Sequence, residues 1–331
     1  MAPSSRPTLH DVAARAGVSA RTVSRVVNGE SVVSEATATV VQAAIDDLGY
    51  RPNLAARSLI NRRSGMIALL VTSMNNPFFG EFADAVRAAA AARGLTLVLA
   101  SSDDDPAAQE RLLRKLESHS IEGVIGWCAA GGQASIVELA GRGTPFVLVN
   151  DQLDAPGVSS VSVDHDQGAR LAVAHLIERG HRHLGMLAGE FVDERLGPRE
   201  VGFTEACAAA GVEARIVDAP HTVEGGAGAL RRLLELEPGT TAVFALNDLM
   251  AAGAMQACAE LGLAVPADVA VVGCDDIQLS SLLHPPLTTV RNDPRALGER
   301  AVAALVAVID GAEPDPEPEL LEVELVVRAS S

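Results

Sequence analysis

The motifs that mark the common enzyme classes are missing from this sequence. There is no GxxxxGKS or GxxxxGKT phosphate-binding loop, no HExxH metalloprotease motif and no GxSxG nucleophile elbow. His181 and His183 follow Gly180 with no obvious third ligand, and Asp275 and Asp276 are adjacent residues whose side chains would point apart. Neither pair predicts a metal site or an acid–base couple, so we expect no catalytic activity, no metal and no cofactor.

Long apolar runs and paired cysteines are also absent. No stretch reaches the roughly 18 uninterrupted apolar residues that would indicate a membrane span, and the first ten residues, MAPSSRPTLH, contain no apolar export-signal core. The four cysteines are far apart and form no CxxC pair, which is typical of reduced thiols inside the cell. We therefore expect a cytoplasmic protein with no membrane partner.

Aromatic residues are scarce, at 3% of the chain, so the hydrophobic cores must be built from alanine, valine and leucine. Hydrophobic residues at 48% and charged residues at 21% are an ordinary globular balance, which excludes disorder of the whole chain. A chain of 331 residues is too long for one compact core and predicts two or three folding units.

The net charge of −17 is unevenly distributed along the chain. Residues 1–63 contain eight arginines and five acidic residues, a net charge of +3, which leaves −20 for the remainder. A basic head on an acidic body is typical of a small nucleic-acid-binding unit attached to a larger domain. Because the acidic body would repel DNA, we expect the head to make the contact.

Three short helices are predicted at the start of the chain. Thr8 can cap the first helix, which Gly17 ends, and Ser19 can cap the second. Ser34 starts a third helix, whose apolar residues recur at helical spacing until Gly49 ends it. The head is therefore expected to be a small all-α unit.

The segment TLHDVAARAGVSARTVSRVVNG (8–29) meets the requirements of a helix-turn-helix. Ala13 is small enough for the place where two helices cross, and Gly17 can adopt the left-handed turn without the penalty of about 1 kcal/mol for a residue with a Cβ. Val18, Val23 and Val26 have the spacing to pack the second helix onto the first. A solvated amphipathic helix pair has a similar composition, but these coincident constraints favour DNA binding.

The second helix would enter the major groove of DNA with the N-terminal half of its outer face. Arginine can bridge O6 and N7 of guanine, whereas serine and threonine hydroxyls suit phosphates. We therefore predict DNA contacts from Ser19, Ala20, Arg21, Thr22, Ser24, Arg25 and Asn28.

From Met66 onward, short apolar runs alternate with longer helical patterns. Such alternation predicts parallel sheets with helices on both faces. The segment exceeds one comfortable sheet, so we expect an α/β body of two similar doubly wound lobes, in which ligands bind beyond the carboxyl ends of the strands. The predicted strands cover residues 66–72, 95–100, 123–128, 145–150, 183–188, 241–246, 268–273 and 321–327.

Together these motifs resemble one family, the lactose and galactose repressors (LacI/GalR-type regulators). The helix-turn-helix segment is close to the head of that family, and RPNLAARSL (51–59) matches its hinge. The resemblance covers nearly the whole chain in order, through NPFFGEF (76–82), SSDDDP (101–106), IEGVIG (121–126), VSVDHDQGA (161–169), HLIERGHRHLGMLAG (175–189), FALNDLMAAGAM (244–255), VVGCDDI (271–277) and PPLTTVRND (285–293). One such motif would be weak, whereas the ordered set is specific.

The resemblance implies a homodimeric repressor that binds a pseudo-palindromic DNA operator under the control of a small-molecule effector. In that family the hinge folds into a helix on the operator and wedges a leucine into the minor groove; the matching positions are Asn53, Ala56, Arg57 and Leu59. The hinge helix would have only about eight residues, which is below the ~12–15 residues that a helix needs for marginal stability alone. It should therefore order only with DNA and a partner hinge. Without the resemblance, Leu59 would be an ordinary linker leucine.

The body of that family resembles the periplasmic sugar-binding proteins, with two lobes joined by three crossovers and a ligand between them. The matching motifs imply crossovers near Val163, Arg291 and Leu320. The predicted domains are a head at 1–50, a hinge helix and linker at 51–63, an N-terminal lobe at 64–163 plus 292–320, and a C-terminal lobe at 164–291 plus 321–331.

Eight positions are implied as effector contacts: Phe78, Phe79, Asn150, Arg199, His221, Asn247, Asp275 and Asn292. An arginine, asparagines and an aspartate around a cleft suit a ligand rich in hydroxyls. Asn247 and Asp248 could instead cap a helix, and Asp275 and Asp276 could close a turn. We expect Arg199 and Asp275 to contact the ligand and the other two aspartates to be structural.

Several positions depart from the family pattern and leave the effector open between a sugar and a related metabolite. His221 stands where some sugar-responsive members place a stacking aromatic residue, and Val163 also lacks a ring. Cys274 occupies a place often held by an aromatic residue, and FVDERLGP (191–198) is unusually charged. A periplasmic-type solute receptor would explain the body equally well, but it requires an export signal and leaves residues 8–63 unexplained. Repression or activation depends on operator position.

Overall fold

The computed structural model describes residues 7–27, 32–51, 63–189, 196–315, 317 and 319–331. The chain divides into two compact units, with the boundary between Ser64 and Gly65. The DNA contacts predicted at Asn28, Asn53, Ala56, Arg57 and Leu59 lie outside the described residues.

Three helices make up the described part of the first unit: α1 (Leu9–Ala16), α2 (Ala20–Val27) and α3 (Glu35–Leu48). A capping box opens α1, since the Thr8 amide donates to the Asp11 carboxylate over 2.7 Å and the Asp11 amide donates to Thr8 Oγ1 over 3.3 Å. Ser34 caps α3, and Gly17 and Gly49 end their helices with left-handed φ values of 66° and 61°. The local signals of the sequence therefore form the predicted helices.

The core of the first unit is small and apolar. Its buried residues are Val12, Ala13, Val23, Val41 and Ala44. Val23, on α2, is fully buried, and Ala13, on α1, is 7% exposed, as expected where the two helices cross. The valines predicted to pack the second helix onto the first contribute to this core, as buried or half-buried residues.

The second unit begins with four strands that alternate with helices and then a fifth strand: β1 (Met66–Val71), α4 (Pro77–Ala91), β2 (Thr96–Ser101), α5 (Pro106–Ser118), β3 (Val124–Gly126), α6 (Gln133–Gly141), β4 (Phe146–Val149) and β5 (Val158–Val163). The alternation resumes with α7 (His165–Glu178), β6 (His183–Ala188), α8 (Pro198–Ala209), β7 (Glu213–Asp218), α9 (Val223–Leu236), β8 (Ala242–Ala245), α10 (Asp248–Leu261), β9 (Ala270–Asp275) and β10 (Thr288–Arg291). It ends with α11 (Pro294–Ile309), β11 (Glu319–Leu321) and β12 (Glu324–Val326).

These strands form two sheets in the described part of the chain. The first sheet has the order β11-β5-β4-β3-β1-β2 and is parallel throughout. The second has the order β12-β10-β9-β8-β6-β7 and is parallel except for the antiparallel pair of β10 and β12. This is the expected doubly wound α/β architecture, in which the carboxyl ends of the strands present their loops at one edge.

Three helices start directly at such edges because a capping residue is followed by proline. Asn76, Asp105 and Asp293 each accept a hydrogen bond from a backbone amide of the helix that follows, and proline occupies the first helical position of α4, α5 and α11. Proline has no amide hydrogen to satisfy there, so the two signals together fix the helix start.

The end of the chain differs from the sequence prediction. Residues 321–327 were predicted as one strand, whereas Leu321 ends β11 in the first sheet and Glu324 begins β12 in the second. The alternation of apolar and polar residues over 321–327 suits any half-buried strand. It contains no signal that the chain crosses from the first sheet to the second. The domain boundaries proposed from the sequence remain a prediction.

Three further strands, β5, β7 and β10, were not predicted. Serines interrupt the apolar pattern of β5, and threonines that of β10, yet both strands are largely buried. Glu213 and Arg215 interrupt the pattern of β7, which is tolerated because this strand lies at an edge of the second sheet. No helix among the described residues is long and apolar enough to cross a membrane.

Candidate functional site

The start of α2 combines a helix cap with an exposed cation. Ser19 Oγ accepts a hydrogen bond from the Thr22 amide over 3.1 Å and lies 2.8 Å from Thr22 Oγ1, so these two hydroxyl groups organise the first turn. Arg21 is exposed beside them, whereas Ser24 and Arg25 are half-buried one turn later. This arrangement presents Arg21 outward at the end of the helix predicted to face DNA.

Ala20 has a structural role in addition to its predicted place near DNA. The residue is half-buried and packs against the core of the first unit. Its small side chain lets the beginning of α2 lie close to that core, so a larger residue would push the helix away. Contact between these α2 residues and bases or phosphates stays a prediction.

Asp275 is the centre of the candidate ligand site in the second unit. It ends β9 with a φ of 120°, is 7% exposed, and accepts a hydrogen bond from Asn292 Nδ2 over 3.0 Å. Its other oxygen accepts from Asn76 Nδ2 over 3.1 Å. Because Asn76 follows β1 and Asp275 is the last residue of β9, this bond connects the carboxyl edges of the two sheets.

Burial raises the pKa of Asp275, although the Arg199 guanidinium and the two amide donors favour the charged carboxylate. Asp248 is also buried, and its raised pKa reflects burial first and the neighbouring Asp275 second. Two buried carboxyl groups therefore share this edge of the second sheet, and the Arg199 guanidinium offsets the negative charge of Asp275.

Asp248 and Asp276 are occupied by structural contacts. The Asp248 carboxylate accepts from the Ile277 amide over 2.9 Å and from the hydroxyls of Ser280 and Thr289, each over 2.5 Å. The Asp276 carboxylate pairs with two arginines of neighbouring segments, over 2.7 and 2.6 Å. These contacts agree with the structural roles expected for both residues.

A narrow crevice adjoins Asp275 where α7 and α8 begin beside the second sheet. Its lining includes Asp164, His165, Arg199, Phe244, Cys274 and Asn292. Burial and the cation of Arg199 hold the pKa of His165 well below its usual 6.5, so the imidazole is neutral. Burial also raises the pKa of the Cys274 thiol, which therefore keeps its proton.

Three of these lining residues have a buried polar atom without a hydrogen-bond partner among the described residues: His165 Nε2, Arg199 Nε and Asn292 Oδ1. Natural proteins leave few such atoms unsatisfied, and each one that remains calls for an explanation, such as a bound water, ion or ligand. The crevice, which we call the Arg199 crevice, can therefore recognise a polar group.

The two remaining effector contacts predicted on the second sheet differ in burial. Asn247 caps α10, since its Oδ1 accepts from the Met250 amide over 2.8 Å, and it is buried. His221 is exposed in the short loop before α9, next to the helix cap Thr222, and its ring lies against Gly189, where a Cβ would lie 2.0 Å from Nε2. The structure thus brings Arg199, Asp275 and Asn292 together most closely.

On the first sheet, Asn150 is tied to the neighbouring strand. It has a left-handed φ of 57°, and its Oδ1 accepts from the Val163 amide over 3.2 Å. Phe78 is buried in the core, whereas Phe79 is half-buried and meets Trp127 edge-on, with 4.9 Å between the ring centroids. Trp127, the only tryptophan of the chain, was not singled out from the sequence.

The comparisons with known proteins agree with this architecture. Residues 8–53 match the model of the bacterial regulatory proteins of the lacI family, and residues 173–331 match that of a periplasmic binding protein-like domain. The HTH-type transcriptional regulator CelR of Thermobifida fusca is 37% identical over 335 residues, which cover 98% of this chain and 98% of that protein. This chain belongs to the lacI family of bacterial regulatory proteins.

Two solved structures extend the similarity of this lacI-family regulator to its fold. A CelR–cellobiose complex is 35% identical with a TM-score of 0.73, over 98% of this chain and 100% of that one. A Lac repressor dimer bound to operator and the anti-inducer ONPF is 30% identical with a TM-score of 0.85, over 98% and 99%. The family and fold class expected from the sequence motifs are therefore confirmed, and the protein is a DNA-binding transcriptional regulator.

Sequence reasoning missed two polar residues of the candidate site in this lacI-family regulator. Asn76 and His165 both lie in motifs quoted for the resemblance, but neither was assigned a role. The Asn-Pro pair at 76–77 signals a helix start at a strand end, which could have placed Asn76 at the ligand edge. No comparable signal marks His165, because its unpaired nitrogen depends on residues far away in the chain.

Proposed function

We propose that this lacI-family regulator is a homodimeric repressor that binds a pseudo-palindromic operator and responds to a small hydroxyl-rich effector, such as a sugar. The observation that supports it most is the convergence of Arg199, Asp275 and Asn292 at the carboxyl edge of the second sheet, with Asn76 reaching Asp275 from the first. Ligands of doubly wound sheets bind at such edges. A repressor acts on DNA inside the cell and needs no chemical reaction, so we also propose a cytoplasmic location and no catalysis.

On the DNA side, the proposal assigns the major-groove contact to α2 and the minor-groove contact to the hinge at 51–63. The capped start of α2 and the exposed Arg21 support the first assignment. One recognition helix per chain and two-fold symmetric sites favour a dimer, as in the Lac repressor dimer bound to operator.

Selection of bound sequences from random DNA tests this half of the proposal. The enriched sites should be pseudo-palindromes, and light scattering should find two chains on each duplex. Footprinting that protects a single asymmetric half-site, or one chain on each duplex, would refute it.

On the effector side, the proposed contacts are Phe78, Phe79, Asn150, Arg199, His221, Asn247, Asp275 and Asn292. CelR was solved with cellobiose bound, and this similarity supports the proposal that the effector of the present protein is a saccharide. A thermal-shift screen of the full chain tests the class, using cellobiose, lactose, glucose, their carboxylate or phosphate derivatives, and nucleobases.

An effector must also change the affinity for DNA. Coupling free energies between two ligands are typically ~1–3 kcal/mol, so a compound found in the screen should change the operator Kd by about 5- to 150-fold. A compound that binds the body and leaves the operator Kd unchanged is not the effector.

A further inference from the structure

The described part of the chain has four buried side-chain polar atoms without a partner: Ser160 Oγ, His165 Nε2, Arg199 Nε and Asn292 Oδ1. Three of the four belong to residues that line the Arg199 crevice. Ser160 lies apart from them, on β5 of the first sheet. Because natural proteins pair nearly all their buried polar atoms, this concentration in one crevice points to a bound molecule.

The hydrogen-bonding capacity of the three atoms is specific. Arg199 Nε carries a hydrogen and can only donate, whereas Asn292 Nδ2 already donates to Asp275 and leaves Oδ1 as an acceptor. His165 is a neutral imidazole, in which one ring nitrogen donates and the other accepts. The crevice therefore offers both donors and an acceptor.

A hydroxyl group matches this mixture, since it donates one hydrogen bond and accepts others. A carboxylate or phosphate only accepts, so it would leave Asn292 Oδ1 facing another acceptor. The charges favour the same ligand: among the described lining residues Arg199 is the one cation, and the carboxylates of Asp164 and the adjacent Asp275 would repel an anion.

We propose that His165 is an effector-binding residue and that, with Arg199 and Asn292, it selects a neutral ligand through one of its hydroxyl groups. This inference rests on the proposed effector function and names the residue and the ligand class.

The substitution His165→Phe tests the contact because it keeps a planar ring and removes both nitrogens. Ser160→Ala is the matched control, since it removes the fourth unpaired buried polar atom at a place away from the crevice. Calorimetry on the full chain with cellobiose, lactose and glucose should show a roughly tenfold weaker Kd in His165→Phe. The Kd in Ser160→Ala should equal that of the wild type.

Thermal unfolding without ligand provides a readout that a purely structural histidine would not give. Neither His165 Nε2 nor Ser160 Oγ has a hydrogen bond to lose in the described part of the chain. His165→Phe and Ser160→Ala should therefore both unfold at or above the wild-type temperature. His165→Asn, which restores a short polar group, should recover part of the affinity. A lower unfolding temperature of His165→Phe together with unchanged sugar affinity would assign His165 to packing and overturn the inference.

The anionic probes separate this inference from the proposed function. Cellobionate, lactobionate and glucose 6-phosphate should bind at least tenfold more weakly than their neutral parents. If one of these anions binds more tightly and changes the operator Kd, the effector function stands and the inference is wrong. A nucleobase that does so would overturn both the inference and the hydroxyl-rich effector class. If a neutral sugar binds through His165 but leaves the operator Kd unchanged, the contact stands and the effector function fails.

Discussion

The hydrogen bond from Asn76 to Asp275 joins the two sheets through side chains 199 residues apart in the sequence. Asn76 also caps α4, because its Oδ1 accepts from the Phe78 amide over 3.0 Å. The substitution Asn76→Ala removes both interactions. Asn76→Ser keeps a hydroxyl that can cap the helix but is too short to reach Asp275, so the two variants separate the bond between the sheets from the cap.

The expected losses follow from the surroundings of each bond. Asp275 is 7% exposed, so water cannot replace the missing amide donor. Losing a hydrogen bond to a charged group costs ~1.5–3 kcal/mol, and losing a helix cap costs ~1 kcal/mol. The free energy of unfolding should therefore fall by about 1.5–3 kcal/mol in Asn76→Ser and by about 1 kcal/mol more in Asn76→Ala.

Urea unfolding of the full chain at pH 8 measures these losses. The fluorescence of Trp127, which contacts Phe79 and Phe82 on α4, is the signal that reports unfolding. Asn75→Ala, at the exposed neighbouring position, is the control and should behave as the wild type. A double-mutant cycle with Asp275→Ala should abolish the effect of Asn76→Ser. An Asn76→Ser variant as stable as the wild type, or an equal loss in the Asp275→Ala background, would refute the reasoning.

Four further predictions concern DNA, the hinge, the ligand and pH. Arg21→Ala or Arg25→Ala should weaken operator binding by ~1–3 kcal/mol in electrophoretic titrations, with a smaller loss on random DNA; equal losses on both DNAs would reassign that arginine to phosphate contact. Leu59→Ala should weaken operator binding and reduce DNA bending with little change in effector affinity, and wild-type bending would contradict the minor-groove wedge. Arg199→Ala and Asp275→Ala should each weaken the effector in calorimetry; undiminished affinity in both would show that the cleft residues are wrongly chosen. Burial raises the pKa of Asp275 above the unfolded value of 3.8, so the folded protein holds the carboxyl proton to a higher pH than the unfolded chain does. The free energy of unfolding of the wild type, measured relative to that of Asp275→Asn, should therefore fall as pH rises above 3.8. A free energy of unfolding that rises with pH relative to Asp275→Asn would contradict the raised pKa.

The head could be predicted closely because its signals are local. Thr8 and Ser34 cap helices within four residues of themselves, and Gly17 and Gly49 end them with left-handed backbone. Such contacts span one turn of chain, so the sequence pattern contains everything needed to place them.

The body was predictable in class but less so in detail. Buried strands such as β1 and β9 are continuous apolar runs, whereas β7 mixes charges into an edge strand and escaped detection. The passage from β11 to β12 also escaped, because the same alternation suits a strand in either sheet.

The candidate site was predictable only where a motif supplied it. Asp275 and Arg199 follow from the family resemblance, and the structural role expected for Asp248 agrees with its three donors. The bond between Asn76 and Asp275 and the unpaired nitrogen of His165 depend on tertiary contacts between distant segments. No local pattern encodes such contacts.

The operator affinity with and without a bound sugar tests the central claim most directly. The full chain would be titrated against a selected operator duplex by fluorescence anisotropy, at fixed salt, with and without the neutral sugar that binds most tightly. We predict that the sugar changes the operator Kd by about 5- to 150-fold and that operator binding changes the sugar Kd by the same factor. An operator Kd that is the same at saturating sugar would contradict effector control through this site.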